Sequence, residues 1–364
     1  MPTKILFIYF GDNLFNKLKI LISDECQESL FQNLNCTVFN LLKETSYLHV
    51  IDEVFLSWSH VLIKVGEKIY YCGFNKSESN DVHEVFCEIK NGLIVKIICG
   101  LQISFFVTND GYCYVYSHTD FQPELIDFGS PDVKIKNVAV GGMHAVAVTE
   151  SGEVFNINLE QKVTAILLPM PQPIAEVVCG KEHVLILSNS GQVFSYGVGS
   201  KGQLGHGTIE NLGKPSLLDA LDGIKIIAIA AGGWHSAAIS NDGDLYMWGW
   251  NESGQLGFPC SELQSDKLPL TEIETVCCLP KSIEFKDDLK VIAVSCGSRH
   301  TVAITENNRV WTWGWNNYGQ LGHKKCMLSD KPEVVPLPDN FVIQTVKSAF
   351  WSTLITGFIK ENYK

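Results

Sequence analysis

Apolar residues along this chain gather in short runs that end at Gly, Asn-Asn, Asp-Gly or Ser-Gly, a pattern of strands joined by tight turns. Clear examples are Ala145-Val146-Ala147-Val148, Val193-Phe194-Ser195-Tyr196, Ile226-Ile227-Ala228-Ile229 and Leu245-Tyr246-Met247-Trp248. The runs recur in phase. Val140-Gly141-Gly142-Met143-His144, Cys179-Gly180-Lys181-Glu182-His183, Ala231-Gly232-Gly233-Trp234-His235 and Cys296-Gly297-Ser298-Arg299-His300 place a histidine at the start of a strand. Fourteen residues after the last three histidines, Gly197, Gly249 and Gly314 close an apolar run. Five residues further on, Gly-Gln-Leu-Gly begins at Gly202, Gly254 and Gly319. Two fixed offsets that recur three times mark an internal repeat.

The same frame finds weaker copies. Trp58-Ser59-His60 precedes Ile69-Tyr70-Tyr71-Cys72-Gly73, Cys99-Gly100 precedes Ile103, and Ser348-Ala349-Phe350-Trp351-Ser352 puts a serine at the histidine position. The origins are residues 60, 103, 144, 183, 235, 300 and 352. Hairpin turns follow at Asp110-Gly111, Ser151-Gly152, Ser190-Gly191, Asp242-Gly243 and Asn307-Asn308, residues that tolerate a positive φ. Lys214-Pro215 and Lys331-Pro332 open a fourth strand, where an edge proline is acceptable. The expected fold is all-β: one seven-bladed β-propeller of four-stranded blades spanning residues 1–364.

The last unit lacks its third strand, and Ile8-Tyr9-Phe10-Gly11 matches the strand that ends in Gly197. The N-terminal strand, within residues 1–18, is expected to close the ring, with residues 16–19 in the Gly-Gln-Leu-Gly place. Two departures from the repeat remain. Residues 258–290 are expected to be an inserted loop, and residues 23–53 to be ordered packing with a short helix.

Composition narrows the function. Apolar residues make up 46% and charged residues only 19%, which disfavours a disordered chain or a helical bundle. The formal charge is −12, with arginine only at Arg299 and Arg309, so direct nucleic-acid binding is not expected. No run is long enough to span a membrane. Lys4-Ile5-Leu6-Phe7-Ile8-Tyr9-Phe10 is too short for a signal core and reads as a strand. Twelve cysteines without a Cys-x-x-Cys fit a reduced intracellular setting.

Gly232-Gly233-Trp234-His235-Ser236, Trp248-Gly249-Trp250-Asn251-Glu252-Ser253-Gly254-Gln255-Leu256-Gly257 and Trp313-Gly314-Trp315-Asn316-Asn317-Tyr318-Gly319-Gln320-Leu321-Gly322 resemble repeats of the regulator-of-chromosome-condensation family. The resemblance is clear from about residue 134 to 353 and faint before it. Likeness to a small member of that family implies a nuclear and cytoplasmic, chromatin-linked adaptor, monomeric and without a cofactor of its own. It would partner a JmjC-type Fe(II)/2-oxoglutarate oxygenase, reach histones through it, and affect histone methylation and chromosome segregation. The alternative the family offers is a guanine-nucleotide exchange factor for a Ran-like GTPase.

The residues themselves do not describe an enzyme. No Gly-x-Ser-x-Gly, phosphate-binding loop, His-Glu-x-x-His or dinucleotide fingerprint occurs. The repeat histidines are expected to cap backbone groups, each in its own blade. Cys179/His183 and Cys296/His300 have a zinc-like spacing, but Val140 and Ala231 fill the same slot, so it asks for a small buried side chain. Candidate partner contacts are what remains once the repeat is subtracted: Trp250, Asn251 and Glu252, Trp315 and Asn316, and Glu272 and Glu274 in the insertion. Each tryptophan can anchor a partner or stack on its own turn.

Overall fold

The computed structural model describes residues 5–11, 37–39, 51–57, 59–73, 83–85, 89, 92–117, 122–159, 163–264, 273–323 and 327–360. Seven antiparallel four-stranded sheets form the blades of a propeller. In chain order they span residues 53–85, 94–125, 135–168, 174–217, 226–283 and 291–334, and the seventh combines both ends of the chain. Each origin opens the second strand of its blade, as at His183–Ser188, His235–Ser240 and His300–Thr305, except that His144 directly precedes Ala145–Thr149. These strands are buried along their whole length, because each blade is stacked on both faces. The seven apolar clusters therefore lie between blades. In one, Ala237, Met247 and Leu256 of the fifth blade pack against Val291, Ala303 and Trp313 of the sixth.

The ring closes as the sequence predicts. Ile5–Gly11 is the third strand of the seventh blade and pairs with Ser352–Ile359. Gly11 faces Ser352 in the same register in which Gly197, Gly249 and Gly314 face their histidines. All four glycines have left-handed φ, from 101° to 122°. A Cβ on Gly249 would lie 2.5 Å from the Trp234 carbonyl, so both the conformation and the space require glycine. The N-terminal strand is buried on both faces: Leu6, Ile8 and Phe10 join the sixth-blade cluster, and Phe7 and Tyr9 that of the first blade.

Two expectations change. Val276–Ile283, inside the span read as an inserted loop, is the outer strand of the fifth blade and pairs with Leu245–Trp250. The added chain is thus shorter, starting with the helical turn Ser261–Gln264. Thr37–Phe39, inside the long gap after the first strand, is the outer strand of the closing blade. The expected helix in 23–53 and the turn at 16–19 lie outside the described residues. Among the described residues, no helix is long and apolar enough to cross a membrane.

Candidate protein-interaction face

The repeat residues are joints between blades. His183 Nε2 lies 2.9 Å from Ser236 Oγ, His235 Nε2 3.0 Å from Thr301 Oγ1, and His300 Nε2 3.0 Å from Thr353 Oγ1. His60 Nε2 reaches Ser104 Oγ at 3.2 Å. In every case the partner hydroxyl follows the origin of the next blade. The expectation of a cap within the same blade is corrected: the ring spans the interface. The Ser236 proton goes to the Gln203 carbonyl (2.8 Å) and the Thr301 proton to the Gln255 carbonyl (2.8 Å), so His183 and His235 donate through Nε2–H. Burial foremost holds His183, His235 and His300 down to about 3, which keeps them neutral. Each ring lies on the glycine three residues before it; a Cβ on Gly297 would sit 2.0 Å from His300 Cε1.

The Gly-Gln-Leu-Gly turns are the second joint. The Gln203 carbonyl also accepts from Trp248 Nε1 (2.9 Å), and the Gln255 carbonyl from Trp313 Nε1 (3.0 Å), each across an interface. At the closing blade Phe10 stands where the tryptophans do, with its ring against Gly322.

The histidines of the zinc-like pairs are part of these joints. His183 and His300 spend Nε2 on the next blade, and burial pushes the Cys296 thiol up to about 12 and the Cys179 thiol higher still. Among the described residues no cluster of three or more histidines, cysteines or carboxylates could hold a metal ion.

The predicted contact residues separate into supports and surface. Asn251 is fully buried: its Nδ2 donates to the Phe258 and Glu274 carbonyls (3.1 and 3.0 Å), and its Oδ1 accepts from Leu256 N–H (3.0 Å). Asn316, 5% exposed, accepts from Leu321 N–H (2.8 Å) and donates to the His323 carbonyl (3.2 Å). Both asparagines shape their turns from inside, which corrects the expectation that they offer side chains to a partner. Glu252 is half-buried, and Glu274 is exposed in an ion pair with Lys281 (3.2 Å). Glu272 lies outside the described residues.

Trp250 and Trp315 do reach one face, but within a belt the motifs did not reveal. Trp250 is only 9% exposed, set edge-on to Trp234 at 5.4 Å and covered by Arg299, whose Cζ is 4.3 Å from the ring centre. Trp315 is half-buried and meets Trp351 at 4.7 Å and the more exposed Tyr318 at 5.2 Å. Lys181 Nζ lies 4.3 Å over Trp234, while Glu182 accepts from Trp234 Nε1 at 2.9 Å. A belt of aromatic rings, with cations over Trp234 and Trp250, thus runs from the fourth blade to the seventh. Inside this rim, a funnel of about 430 Å³ opens at the mouth of the central channel, lined by Leu101, Val140, Cys179, Ala231 and Phe350 among others.

The missed residues share a signal. Met143, Glu182, Trp234, Arg299 and Trp351 all occupy the place just before an origin, a variable position inside an otherwise repeated phrase. Subtracting the repeat one position at a time would have found them.

A family model described as the RCC1-like domain matches residues 10–355. The chain belongs to the RCC1-like domain family. RCC1 domain-containing protein 1 of Mus musculus is 37% identical over 224 residues, 53% of this chain and 59% of its own length. Its Homo sapiens counterpart is 37% identical over 203 residues, 48% of this chain and 54% of its own. The ultraviolet-B receptor UVR8 of Arabidopsis thaliana is 36% identical over 217 residues, 56% and 46% of the respective chains. The match thus spans about half the length of these curated relatives. Among solved structures, yeast RCC1 (Prp20), crystallised bound to Kap60, superposes with a TM-score of 0.80 at 18% identity, covering 99% of this chain and 90% of that one. Human WBSCR16 gives 0.73 at 15% identity, covering 98% and 99%. At such identities the RCC1-like likeness shows the fold alone.

Proposed function

We propose that this RCC1-like propeller is a non-catalytic protein-interaction scaffold that docks its partner on the face bearing Trp234, Trp250, Trp315 and Trp351. The observation that carries the reading is the belt of rings and cations across adjacent blades, the side-chain types that dominate binding at protein interfaces. The finer reading is a monomeric, chromatin-linked adaptor for a JmjC-type 2-oxoglutarate oxygenase, found in nucleus and cytoplasm and affecting histone methylation and chromosome segregation. Its support is the likeness to RCC1 domain-containing protein 1 over half the chain. Iron and 2-oxoglutarate belong to the partner. The net charge of −12 favours reaching chromatin through a protein rather than through DNA.

The test is capture from nuclear extract followed by mass spectrometry, run beside release of fluorescent GDP from a Ran-like GTPase. The expected result is recovery of a JmjC-type oxygenase, reduced at least tenfold by Trp315→Ala with Trp351→Ala, and no faster GDP release. Accelerated release without oxygenase capture would replace the scaffold by an exchange factor.

A further inference from the structure

The funnel and its rim have opposite characters. The interior is walled mainly by aliphatic, aromatic and glycine residues, with Ser298 and Ser348 and the thiols of Cys99, Cys179 and Cys296, the thiols kept protonated by burial. Lys181 lies on the funnel's edge, and Lys201 and Arg299 stand one ring further out, on Trp250. These three lie against tryptophan rings, at 4.3 Å from Trp234 for Lys181 and at 5.3 and 4.3 Å from Trp250 for Lys201 and Arg299. None of them pairs with a carboxylate among the described residues; Glu182, which accepts from Trp234 Nε1 at 2.9 Å, keeps its negative charge beside the same ring as Lys181. In a chain of net charge −12 with two arginines, these three cations outnumber Glu182 beside an apolar hole.

The backbone at the funnel lip is uneven in the same way. Lys181 N–H donates to the Gly232 carbonyl (3.1 Å), Gly233 N–H to the Gly297 carbonyl (3.0 Å) and Ser298 N–H to the Phe350 carbonyl (2.6 Å), stitching the fourth to seventh blades. Leu101 and Gly142 hold the equivalent places in the second and third blades. Among the described residues, neither N–H makes the matching bond.

Resting on the docking reading above, we propose that the partner presents an extended acidic segment whose single large apolar side chain enters the funnel while its carboxylates meet Lys181, Lys201 and Arg299. An apolar anchor flanked by charge supplies area from the hole and orientation from the rim. A nucleic acid matches the cations but not the apolar interior, and the overall charge opposes it.

The test is fluorescence anisotropy of the full chain with a labelled peptide of about twelve residues, Asp and Glu around a central Leu-Phe. Controls replace Leu-Phe by Ala-Ala, replace the acids by lysines, or offer a single-stranded oligonucleotide of similar length. The parent peptide should bind saturably and more weakly as salt rises, and both control peptides at least tenfold more weakly. Arg299→Glu with Lys181→Glu, and separately Ala231→Phe to plug the funnel, should each weaken it at least tenfold. Val140→Trp is the second plug should Ala231→Phe fail to fold. Equal binding of the Ala-Ala or lysine peptide, tighter binding of the oligonucleotide, or no binding of the parent peptide overturns the proposal. If Trp315→Ala with Trp351→Ala abolishes oxygenase capture while the plug and charge variants leave it intact, the docking face stands and the acidic-segment inference falls. Self-association that competes with the peptide would make a second copy of this chain the occupant and overturns it as well.

Discussion

The fourth to seventh blades and the second and third blades belong to one ring but are held together differently. In the former, each interface carries a histidine-to-hydroxyl bond, from His183 to Ser236, His235 to Thr301 and His300 to Thr353. In the latter, Ile103 replaces the histidine and Ala145 replaces the hydroxyl, so both halves of the joint are missing together. Phe105, Val107, Val138 and Ala147 fill that interface. His144 shows an intermediate state: its counterpart on the next blade is Val184, and the half-buried ring sits edge-on to Tyr196 at 5.4 Å. Every interface is packed with apolar side chains, and the histidine joint is an addition that some interfaces carry and others omit. Only the joint leaves a motif in the sequence.

The largest effect expected is at the closing blade. Deleting residues 1–12 removes a strand buried on both faces and should lower the melting temperature by well over 10 °C, or prevent folding, as followed by circular dichroism. An unchanged melt would remove the N-terminal strand from the ring.

Matched glycine substitutions come next. Gly297→Ala drives a Cβ to 2.0 Å from the locked His300 ring, whereas at Gly100 the nearest atom is a Val140 methyl at 3.0 Å. The first should cost about 3 kcal/mol in chemical unfolding and the second about 1 kcal/mol. Equal costs would mean that the histidine joint is no more rigid than apolar packing.

His235→Ala against His144→Ala sharpens the contrast. His235→Ala removes a buried hydrogen bond and leaves a cavity, for about 2–3 kcal/mol. His144 has no hydroxyl facing it, and its loss should cost under about 1 kcal/mol.

Lowering the pH tests all three joints at once. His183, His235 and His300 are held near 3 in the folded chain, below the usual imidazole value of about 6.5. The unfolded chain therefore takes up protons first as pH falls. Stability is intact above about pH 6.5 and declines from there toward pH 3, by on the order of 2 kcal/mol per histidine at pH 5 before coupling among them. Melting temperatures at neutral pH and at about pH 5 check this, and the His235→Ala variant should show a shallower fall.

The phase of the repeat made the blades and the N-terminal closure legible, because Gly11, Gly197, Gly249 and Gly314 need one conformation at one register. The outer strands at Thr37–Phe39 and Val276–Ile283 escaped, since an outer strand is held by one neighbour and needs no fixed residue. The histidines were legible as structural but not as bridges, for a bond to Ser236 spans a whole unit of sequence. The proposed interaction face was half legible. Trp250 and Trp315 stood out beside a fixed glycine, whereas Trp234, Arg299 and Trp351 gain meaning only when adjacent blades bring them together. Asn251 and Asn316, so near those tryptophans in sequence, turn inward because the turn needs their amides.

Repeat residues join the blades, and in the proposed function the belt that includes Trp234 and Trp351 binds. The direct measurement is paired melting and partner capture for Trp234→Ser with Trp351→Ser against His235→Ala. The tryptophan pair should melt within about 3 °C of the parent chain and lose at least tenfold in oxygenase capture. His235→Ala should melt clearly lower yet capture normally at temperatures where it is folded. Normal capture by the tryptophan variant, or capture lost by the folded histidine variant, would contradict this division of roles.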